Sequence, residues 1–493
     1  MTAHRTVSTV PGLPLLGHAL ALFRDPCAFL DSLPGEDAVT QIRLGPFTVL
    51  LVRDPGLIGQ VLRDDRTFDK GGPVFDNNRS WAGNGLPICS HRDHRRQRRL
   101  IQPAFHPLRL REYTHVMTAQ ATALAASWRE GRILDIPAEM LRLTSDTLLE
   151  TLFSDALSSR LRHEAMADIT TVMRGTLRHA VLPPTLAALP LPSHRRFRRA
   201  HTRLRRTVHD LITDRRTTSG GRDDLLAALL TSRDPGGGEE HLSEAEVADQ
   251  IVAFFLAATD TPANILAWAL HFLTCHPELE DALHEEVDRV LAGSAVAPEH
   301  LPQLELTSRI VTETLRRRPP LLLTRTVTVD TQLGDHHVAE GTSVAYSPYL
   351  IHHRSDLYPQ PHCFDPGRWD PTRPQPRREA FIPFGTGARK CIGDQFATLQ
   401  ITAALAAITA RWRLQPVPGN QLQPAVAVAL RPRRLHLRAI ARNPPHRPGS
   451  EQDGPAVTLA QGFVRARDHH PPRGVLQPAA PRCLAPGAVE HAT

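Results

Sequence analysis

The segment FIPFGTGARKCIGDQFA, residues 381–397, places one cysteine between glycines and basic residues, just before an apolar helical pattern. A thiolate that binds a metal needs a lowered pKa, and a helix that begins near Gly393 would supply partial positive charge and backbone N–H donors to Cys391. Gly385 and Gly387 would let the backbone turn tightly and approach a flat group closely. For an isolated cysteine at the start of a helix, an inert buried thiol is the alternative.

A second group that could do chemistry lies inside a long apolar helical pattern. The pattern follows a capping box at residues 243–246 and is apolar on most sides, so we expect it to run through the interior. Asp260 and Thr261 lie at its middle, and Pro262 cannot donate a hydrogen bond to the carbonyl of Ala258, so the helix should kink there. Burying this acid and alcohol is costly unless they are hydrogen-bonded at the bend or used in chemistry.

A third motif is an E-x-x-R pair. Glu313 and Arg316 lie three residues apart on a predicted helix that two prolines terminate, so they share a face and can pair. Such pairs are common, and this one alone indicates little. Further on, the segment CFDPGRWD places Arg368 in an extended, turn-rich stretch.

Composition limits the class of protein. The chain of 493 residues is 41% hydrophobic and 22% charged, enough to bury a large core. Its six cysteines are far apart, with no C-x-x-C pair and no Cys/His zinc spacing, which argues against a zinc finger and suits a reducing compartment. Prolines and glycines interrupt the apolar N-terminal stretch, so we expect no stable membrane anchor. We therefore predict a cytoplasmic protein, and we expect a monomer.

Positive charge is concentrated in two runs. The chain has 58 basic and 51 acidic residues, and the runs cover residues 91–99 and 195–206. In the second run, Phe197 and Leu204 could be buried while the arginines remain in water. We interpret both runs as solvated helix faces. Neither has aromatic interleaving or belongs to a recognised nucleic-acid module, so we expect no nucleic-acid partner.

The periodicity predicts a mainly α protein with a small β region. Strand-like runs occur near Val39–Val52 and Thr342–Pro348, and no repeat or long linker divides the chain between about residues 20 and 440. The run Thr231–His241 is rich in proline and glycine and predicts a mobile loop. We predict an N-terminal extension at 1–19, one catalytic domain at 20–442, and a proline-rich disordered tail at 443–493.

Taken together, the motifs resemble the signature set of the cytochrome P450 family, the haem-thiolate monooxygenases. FGTGARKCIG, residues 384–393, is similar to the family's F-x-x-G-x-R-x-C-x-G cysteine loop. The joint occurrence of several motifs is much more specific than any one of them. The other matches are the E-x-x-R pair Glu313 and Arg316, the arginine that completes this triad, Arg368, the acid-alcohol pair Asp260 and Thr261, and the W/H-x-x-x-R pair His94 and Arg98.

The resemblance implies the cytochrome P450 fold, a helical domain with a long central helix and a small β-rich part, with haem b buried between them. Cys391 would be the proximal iron ligand, which favours oxygenase chemistry. Phe384 would keep its sulfur dry, and Gly385 would help to admit the macrocycle. The E-x-x-R triad would buttress the loop. The haem propionates would be held by His94, Arg98, Arg325 and Arg389.

On the other face of the haem, the resemblance assigns proton delivery to Asp260 and Thr261. The sequence departs from the family pattern there, because Ala258 replaces the usual glycine and Pro262 replaces the usual second threonine or serine. The kink would then come from proline. A peroxygenase variant of the family carries Arg-Pro at the acid-alcohol positions, and the aspartate and threonine present here argue against it.

The candidate pocket residues are apolar, which predicts a hydrophobic small-molecule substrate. Core packing is the alternative for each of them. Stretches such as HRRQRRLIQPAFHP resemble bacterial family members that oxidise cyclic terpenes. The candidates are Phe254, Phe255, Ala257 and Ala258 on the central helix and Leu321, Leu322 and Leu323 after the E-x-x-R helix.

The resemblance also implies partners and a reaction. The enzyme would hydroxylate or epoxidise its substrate with O2, and electrons would come from ferredoxin and ferredoxin reductase. Within the family, a peroxide-driven peroxygenase or a non-oxygenating isomerase is the alternative, and a non-catalytic haem sensor or carrier is an alternative of another class. A docking patch for an acidic ferredoxin would comprise Arg95, Arg96, Arg99 and Lys390.

Overall fold

Helices make up most of the described part of the chain. The computed structural model describes residues 8–34, 37–45, 47–154, 158–181, 189, 191–217, 224–233, 241–419, 422–425 and 430–442. Its α-helices are α1 (Ala19–Arg24), α2 (Pro26–Asp31), α3 (Pro55–Arg63), α4 (Pro73–Ala82), α5 (His91–Ile101), α6 (Pro107–Ser127), α7 (Ile136–Phe153), α8 (Ser159–Val181), α9 (Pro192–Thr217), α10 (Leu225–Leu230), α11 (Glu244–Ala258), α12 (Asp260–Cys275), α13 (Pro277–Leu291), α14 (Glu305–Arg317), α15 (Pro348–His352) and α16 (Asp394–Arg411).

Among the described residues, the β region is small and divided into four sheets. The largest sheet has the order β1-β2-β3-β9-β6-β4, a second has the order β10-β13-β5, and β11-β12 and β7-β8 form two-stranded sheets. The strands are β1 (Ser8–Thr9), β2 (Val39–Leu44), β3 (Phe47–Val52), β4 (Phe68–Asp69), β5 (Ile133–Asp135), β6 (Leu323–Val327), β7 (Thr331–Leu333), β8 (His336–Val338), β9 (Ser343–Tyr346), β10 (Trp412–Pro416), β11 (Gln423–Ala425), β12 (Arg431–Arg433) and β13 (His436–Ala441).

The long apolar pattern forms two helices, α11 and α12, that meet at Thr259. The break lies three residues before Pro262, as expected from the missing proline N–H and the crowding of its ring. The Thr144 hydroxyl of α7 donates to the Thr259 carbonyl at 2.8 Å, so the break leaves this oxygen satisfied. By length and composition the span Glu244–Cys275 could cross a membrane, but most of it is buried inside the protein.

The core surrounds α12 and α16. Helix α12 packs against α7, α14 and α16, while α16 lies along α6. Small side chains on α16, such as Ala403, Ala404 and Ala406, are completely buried and let neighbouring helices approach closely. The rigid helical core therefore supports both the start of α16, which follows Cys391, and the break between α11 and α12.

The prediction of a mainly α fold with a small β region is confirmed, and the two strand-like runs form β2, β3 and β9. Residues 8 and 9, inside the predicted N-terminal extension, pair with β2 as β1. The predicted tail at 443–493 lies outside the described residues, as do residues 234–240 of the predicted mobile loop. Those two predictions and the domain boundaries remain predictions.

Candidate active site

The cysteine loop is closed by its own backbone. It runs through a short 3-10 helix at Gly387–Arg389 and leads into α16. The Cys391 N–H donates to the Phe384 carbonyl at 2.9 Å, which places the thiol just before the helix. The protein encloses Cys391 deeply, yet the residue keeps accessible surface. The thiol therefore opens onto an internal space.

Glycines are needed in this loop for two different reasons. Gly387 has φ +72°, and a Cβ there would lie 2.3 Å from the Leu62 carbonyl oxygen, so a side chain would clash with the backbone of α3. Gly385 also has a positive φ, +67°, but a Cβ there or on Gly393 would meet nothing within 4 Å. The loop therefore has open space at these two positions, as the close approach of a flat macrocycle requires.

The protein alone does not favour the thiolate. Burial raises the pKa of the Cys391 thiol, and the Gly393 N–H, which donates toward the sulfur, opposes this effect only in part. The expected backbone donor is present, but the expected net lowering of the pKa is not. A metal cation at the sulfur would supply the missing positive charge, because metal binding releases the thiol proton.

The E-x-x-R triad has the geometry expected for a buttress. Glu313 and Arg316 are completely buried and joined by two hydrogen bonds of 2.7 and 2.8 Å. Arg368 brings its Nε to 3.6 Å from Glu313 Oε1, and Trp369 Nε1 donates to Glu313 Oε2 at 2.9 Å. The carboxylate thus ties α14 to the turn at Pro366–Trp369.

A histidine that the sequence analysis missed links this triad to the cysteine loop. Arg316 donates to the His352 carbonyl at 2.7 Å, and the Ile382 N–H donates to His352 Nε2 at 2.9 Å. Nε2 must therefore be unprotonated, and Nδ1 donates to the Arg316 carbonyl at 3.2 Å. Burial and the nearby Arg316 lower the pKa of His352 to about 3, which keeps the ring neutral.

Helix α5 brings His94 and Arg98 beside the cysteine. They lie one helical turn apart and line a cavity of about 1370 Å³ that also contains Cys391. Arg98 donates to the Lys390 carbonyl, and His94 Nδ1 lies 4.0 Å from Asp65 Oδ2. Burial, together with nearby cations, lowers the pKa of His94 to about 3. The structure therefore brings the predicted histidine, arginine and cysteine to one cavity.

Arg389 is also near the cysteine, but its guanidinium already has protein partners. It is buried and donates to Asp65 at 3.1 Å, to Asp69 at 2.6 Å and to the Cys89 carbonyl at 2.7 Å. These contacts fasten the cysteine loop to the chain between α3 and α5. No sequence pattern indicated these two carboxylates, and a propionate contact by Arg389 remains a prediction.

Arg325 and a lysine missed by the sequence analysis complete a group of enclosed cations. Arg325 is buried on β6, donates to the Thr324 carbonyl at 2.9 Å and lies 5.7 Å from the centre of the Tyr346 ring. Lys70 follows β4 and donates to the Pro87 carbonyl. One sequence signal could have singled it out, since the chain has only two lysines among its 58 basic residues.

The acid and alcohol lie at an open part of the central helix. Ala257 is exposed, and Ala258, Asp260 and Thr261 are partly accessible, although most residues of α11 and α12 are buried. Because these helices run through the interior, this accessible surface faces an internal void. None of these four residues is among those that line the cavity beside Cys391.

Asp260 has a cationic partner that the sequence analysis missed. Arg431 of β12 forms an ion pair with Asp260 Oδ1, and Asn264 Nδ2 donates to Asp260 Oδ2 at 3.1 Å. Arg431 lies far away in the sequence, and no local pattern indicates the pair. The carboxylate is thus held at the helix break from two sides.

The predicted pocket residues divide into two groups. Phe254 packs against Phe105, a wall of the cavity, with ring centroids 5.7 Å apart. Phe255 instead packs against Phe153 in the core, and Leu321 is also a buried core residue. Phe254 belongs to the same core, so core packing, the alternative for each candidate, accounts for the burial of all three residues, and their part in a pocket stays a prediction. The two leucines that follow Leu321 stay partly accessible.

The predicted docking patch is also corrected at one position. Arg95, Arg99 and Lys390 line the cavity on the cysteine side. Arg96 instead forms an ion pair with Glu246 at 2.6 Å and donates to the His241 carbonyl. One residue along a helix turns a side chain by about 100°, which carries Arg96 to the face packed toward α11.

Comparisons with known proteins agree with this geometry. The family model of cytochrome P450 matches residues 8–437. The chain belongs to the cytochrome P450 family. This cytochrome P450 is 42% identical to pentalenene oxygenase of Streptomyces avermitilis, over 90% of this chain and 100% of that protein. It is 41% identical to cyclooctat-9-en-7-ol 5-monooxygenase of Streptomyces melanosporofaciens, over 85% of this chain and 91% of that protein.

A solved structure extends the likeness to three dimensions. The haem domain of cytochrome P450DA has a TM-score of 0.78 and 26% identity, with 89% of this chain and 98% of that chain covered. The P450 fold expected for this chain is therefore confirmed.

Haem b is the cofactor of this cytochrome P450, and the site fits it. The cysteine loop has open space at Gly385 and Gly393, and the thiol opens onto the interior. Two enclosed cations, Lys70 and Arg325, have no carboxylate partner among the described residues, which suits a group that carries two carboxylates. Across the described ranges, no cluster of three His, Cys, Asp or Glu side chains could hold a separate metal ion.

Proposed function

We propose that this cytochrome P450 monooxygenase oxidises a cyclic terpene by hydroxylation or epoxidation, with O2 and with electrons from a ferredoxin. The observation that carries the proposal is the identity of 41–42%, over most of the chain, to the two Streptomyces terpene oxygenases. The apolar residues that open onto the interior at Ala257 and Ala258 support a hydrophobic substrate. The bacterial relatives and the burial of the long apolar helix support a cytoplasmic location.

Each part of the site has a separate task. Cys391 holds the haem iron, and the loop closed by its N–H to Phe384 fixes the direction of the sulfur. The E-x-x-R triad and His352 hold the loop in place through the hydrogen bond from the Ile382 N–H to His352. When bound, the haem supplies the metal centre at which O2 is activated.

Asp260 and Thr261 take the proton-delivery task in this proposal. Both are partly accessible at the break between α11 and α12, where a buried helix opens onto the interior. Arg431 and Asn264 hold the Asp260 carboxylate in place, and Thr261 adjoins it in the first turn of α12. A carboxylate and a hydroxyl so placed can pass a proton from water toward the reacting oxygen.

Electron transfer is proposed at the protein surface on the cysteine side. Arg95, Arg99 and Lys390 line the cavity beside Cys391, and their positive charge suits an acidic ferredoxin. Arg109 adds positive charge on the same wall, while Glu112 pairs with it at 3.0 Å.

The deciding experiment incubates the purified holoenzyme with NADPH, ferredoxin, ferredoxin reductase and a panel of cyclic sesquiterpene and diterpene hydrocarbons and alcohols. We expect a substrate-induced spectral shift and a product one oxygen atom heavier for at least one of them.

The Cys391→Ala variant should lose the thiolate-type Soret band of the carbon monoxide difference spectrum, whereas Cys275→Ala should keep it. Fatty acids oxidised in place of every terpene would overturn the substrate proposal. Equal product with hydrogen peroxide alone would favour a peroxygenase.

A further inference from the structure

Trp81, near the end of α4, differs from every other tryptophan of the chain in its indole N–H. The chain has five tryptophans, and all five lie within the described residues. Four of them donate to an acceptor: Trp128 to Glu139, Trp268 to the Leu430 carbonyl, Trp369 to Glu313 and Trp412 to the Ala125 carbonyl. The Trp81 Nε1 atom is buried and has no hydrogen-bond partner among the described residues. An unpaired buried donor is costly, so this one needs an explanation.

His201 of α9 places a second unpaired atom beside the indole. The two rings meet edge to face, with centroids 6.0 Å apart. The His201 ring is hydrogen-bonded to the Trp81 backbone, while its Nε2 atom is buried and finds no partner within the described part of the chain. Burial and the nearby Arg205 lower the pKa of His201, which keeps the ring neutral. Because Nδ1 then carries the proton donated to the backbone carbonyl, Nε2 is a free acceptor.

Phe197 fixes the positions of these two rings. It is buried, lies edge-on to Trp81 with centroids 5.3 Å apart, and stacks on His201 one turn further along α9. Gly175 of α8 makes room for it, because a Cβ there would lie 2.3 Å from Phe197 Cδ2. A donor and an acceptor are therefore held side by side, each without a partner.

This pair adjoins the open part of the central helix. Phe197 and Trp81 belong to a small hydrophobic cluster, separate from the main core, against which Leu256 of α11 also packs. Leu256 precedes Ala257, whose exposed surface opens onto the interior. A cluster of a few side chains opens at lower cost than the main core. A ligand beside Ala257 can thus part α4 from α9 and reach the two atoms, which are covered in its absence.

We propose that Trp81 and His201 bind a hydroxyl group of the substrate, so that this enzyme oxidises a cyclic terpene alcohol. The inference rests on the proposed function and narrows its substrate class. A hydroxyl both accepts and donates, so it accepts from Trp81 Nε1 and donates to His201 Nε2. A hydrocarbon leaves both atoms unpaired, and a ketone pairs only the indole. Sites that hydrogen-bond a substrate hydroxyl strongly reject analogues without it.

Two matched sets of ligands test this recognition in the holoenzyme. The sets are borneol, camphor and bornane, and cyclododecanol, cyclododecanone and cyclododecane, with dissociation constants measured from substrate-induced spectral shifts. In at least one set we expect the alcohol to bind about tenfold more tightly than the hydrocarbon. Trp81→Phe keeps an aromatic ring but removes the donor, so it should abolish this preference without weakening hydrocarbon binding. His201→Phe should weaken binding of the alcohol and leave that of the ketone unchanged.

Trp128→Phe is the matched control, since it removes an indole N–H that donates to Glu139 away from this cluster. It should change none of these dissociation constants. The proposal is overturned if the wild type prefers the alcohol in neither set, or if Trp81→Phe keeps the wild-type preference.

The indole N–H itself gives a second readout. In the carbon monoxide-bound ferrous holoenzyme with nitrogen-15 in its tryptophan rings, five indole signals are expected, and Trp81→Phe identifies one of them. That signal should move downfield with cyclododecanol and stay nearly in place with cyclododecane. A signal that moves alike with both ligands, or that has the shift of a hydrogen-bonded indole before any ligand is added, would contradict the assignment. If Trp81→Phe does not fold, phenylalanine variants of the other four tryptophans identify the signal by elimination.

The two proposals fail in different ways. An enzyme that binds and oxidises bornane as readily as borneol is still a terpene oxygenase, but it lacks this hydroxyl recognition. If no terpene is oxidised, the proposed function fails, and the comparison of cyclododecanol with cyclododecane still decides the roles of Trp81 and His201.

Discussion

Asp260 is both a proposed proton carrier and the partner of Arg431, and these roles predict different effects of substitution. The ion pair and the Asn264 contact hold the carboxylate at the helix break. If the pair only supports the break, loss of either member should have a similar effect. If the carboxylate carries protons, only its own loss should slow turnover strongly.

The Asp260→Asn substitution should lower turnover by about a hundredfold, because general acid-base groups typically contribute 10²–10⁴-fold. The substrate-induced spectral shift and the carbon monoxide difference spectrum should stay unchanged. Arg431→Gln is the matched control, since it removes the partner but keeps the carboxylate, and it should cost much less. Steady-state turnover and the solvent isotope effect distinguish the variants. An equal loss of turnover in the two variants would mean that Asp260 has a structural role and does not transfer protons.

One buried carboxylate joins two segments of the chain. Glu313 pairs with Arg316 on α14, lies near Arg368, and accepts from Trp369 in the turn at Pro366–Trp369. Arg316 donates to the His352 carbonyl, and His352 in turn accepts from the Ile382 N–H at the start of the cysteine loop. The loop geometry therefore depends on a charge network that lies away from Cys391.

The Glu313→Gln substitution should destabilise the protein by about 3–5 kcal/mol, because it leaves two enclosed arginines without their carboxylate. We expect a lower midpoint of thermal unfolding and a lower haem content after purification. Asp356→Asn is the control, since Asp356 pairs with Arg354 at an exposed site and should cost less than about 1 kcal/mol. Normal haem content and stability in Glu313→Gln would refute the buttress role.

Two faces of helix α5 make different contacts. Arg95 and Arg99 line the cavity beside the thiol, while Arg96 pairs with Glu246 of α11. Arg95→Gln should slow reduction by ferredoxin, and its effect should shrink as salt concentration rises, because exposed charges are screened. Arg96→Gln should leave the reduction rate near wild type. Stopped-flow reduction under carbon monoxide measures both. Salt-independent reduction in the wild type would rule out electrostatic docking at this surface.

At the scale of the whole molecule, buried histidines link stability to pH. Burial, the largest cause in each case, lowers the pKa of His352 to about 3 and those of His271 and His284 to about 4. In the unfolded chain these rings bind protons below about pH 6.5. Because the unfolded state then binds more protons, the stabilisation is complete above that pH and is lost progressively as the pH falls toward 4 and 3.

We therefore expect the free energy of unfolding to decrease between pH 6.5 and 5.5, a range in which ordinary carboxylates stay ionised. Each of the three rings should contribute about 1 kcal/mol over this interval, because the unfolded ring goes from about half to about nine-tenths protonated. Guanidinium unfolding at both pH values measures the slope. His271→Asn removes one titrating ring and should make the decrease in the free energy of unfolding smaller by about 1 kcal/mol. Stability that is constant or rises over this range would contradict the assignment of neutral buried rings.

The sequence by itself determined the reaction class and much of the fold. The cysteine loop, the E-x-x-R pair, the acid-alcohol pair and the proline break are local patterns whose spacing is set by backbone geometry, so they can be read without a structure. The tertiary structure decided what depends on contacts between distant segments. It placed Arg431 on Asp260 and Arg389 on two aspartates, and it turned Arg96 toward Glu246 of α11. The physical reason is that charge pairing and burial depend on which segments the fold brings together, and no local period records that.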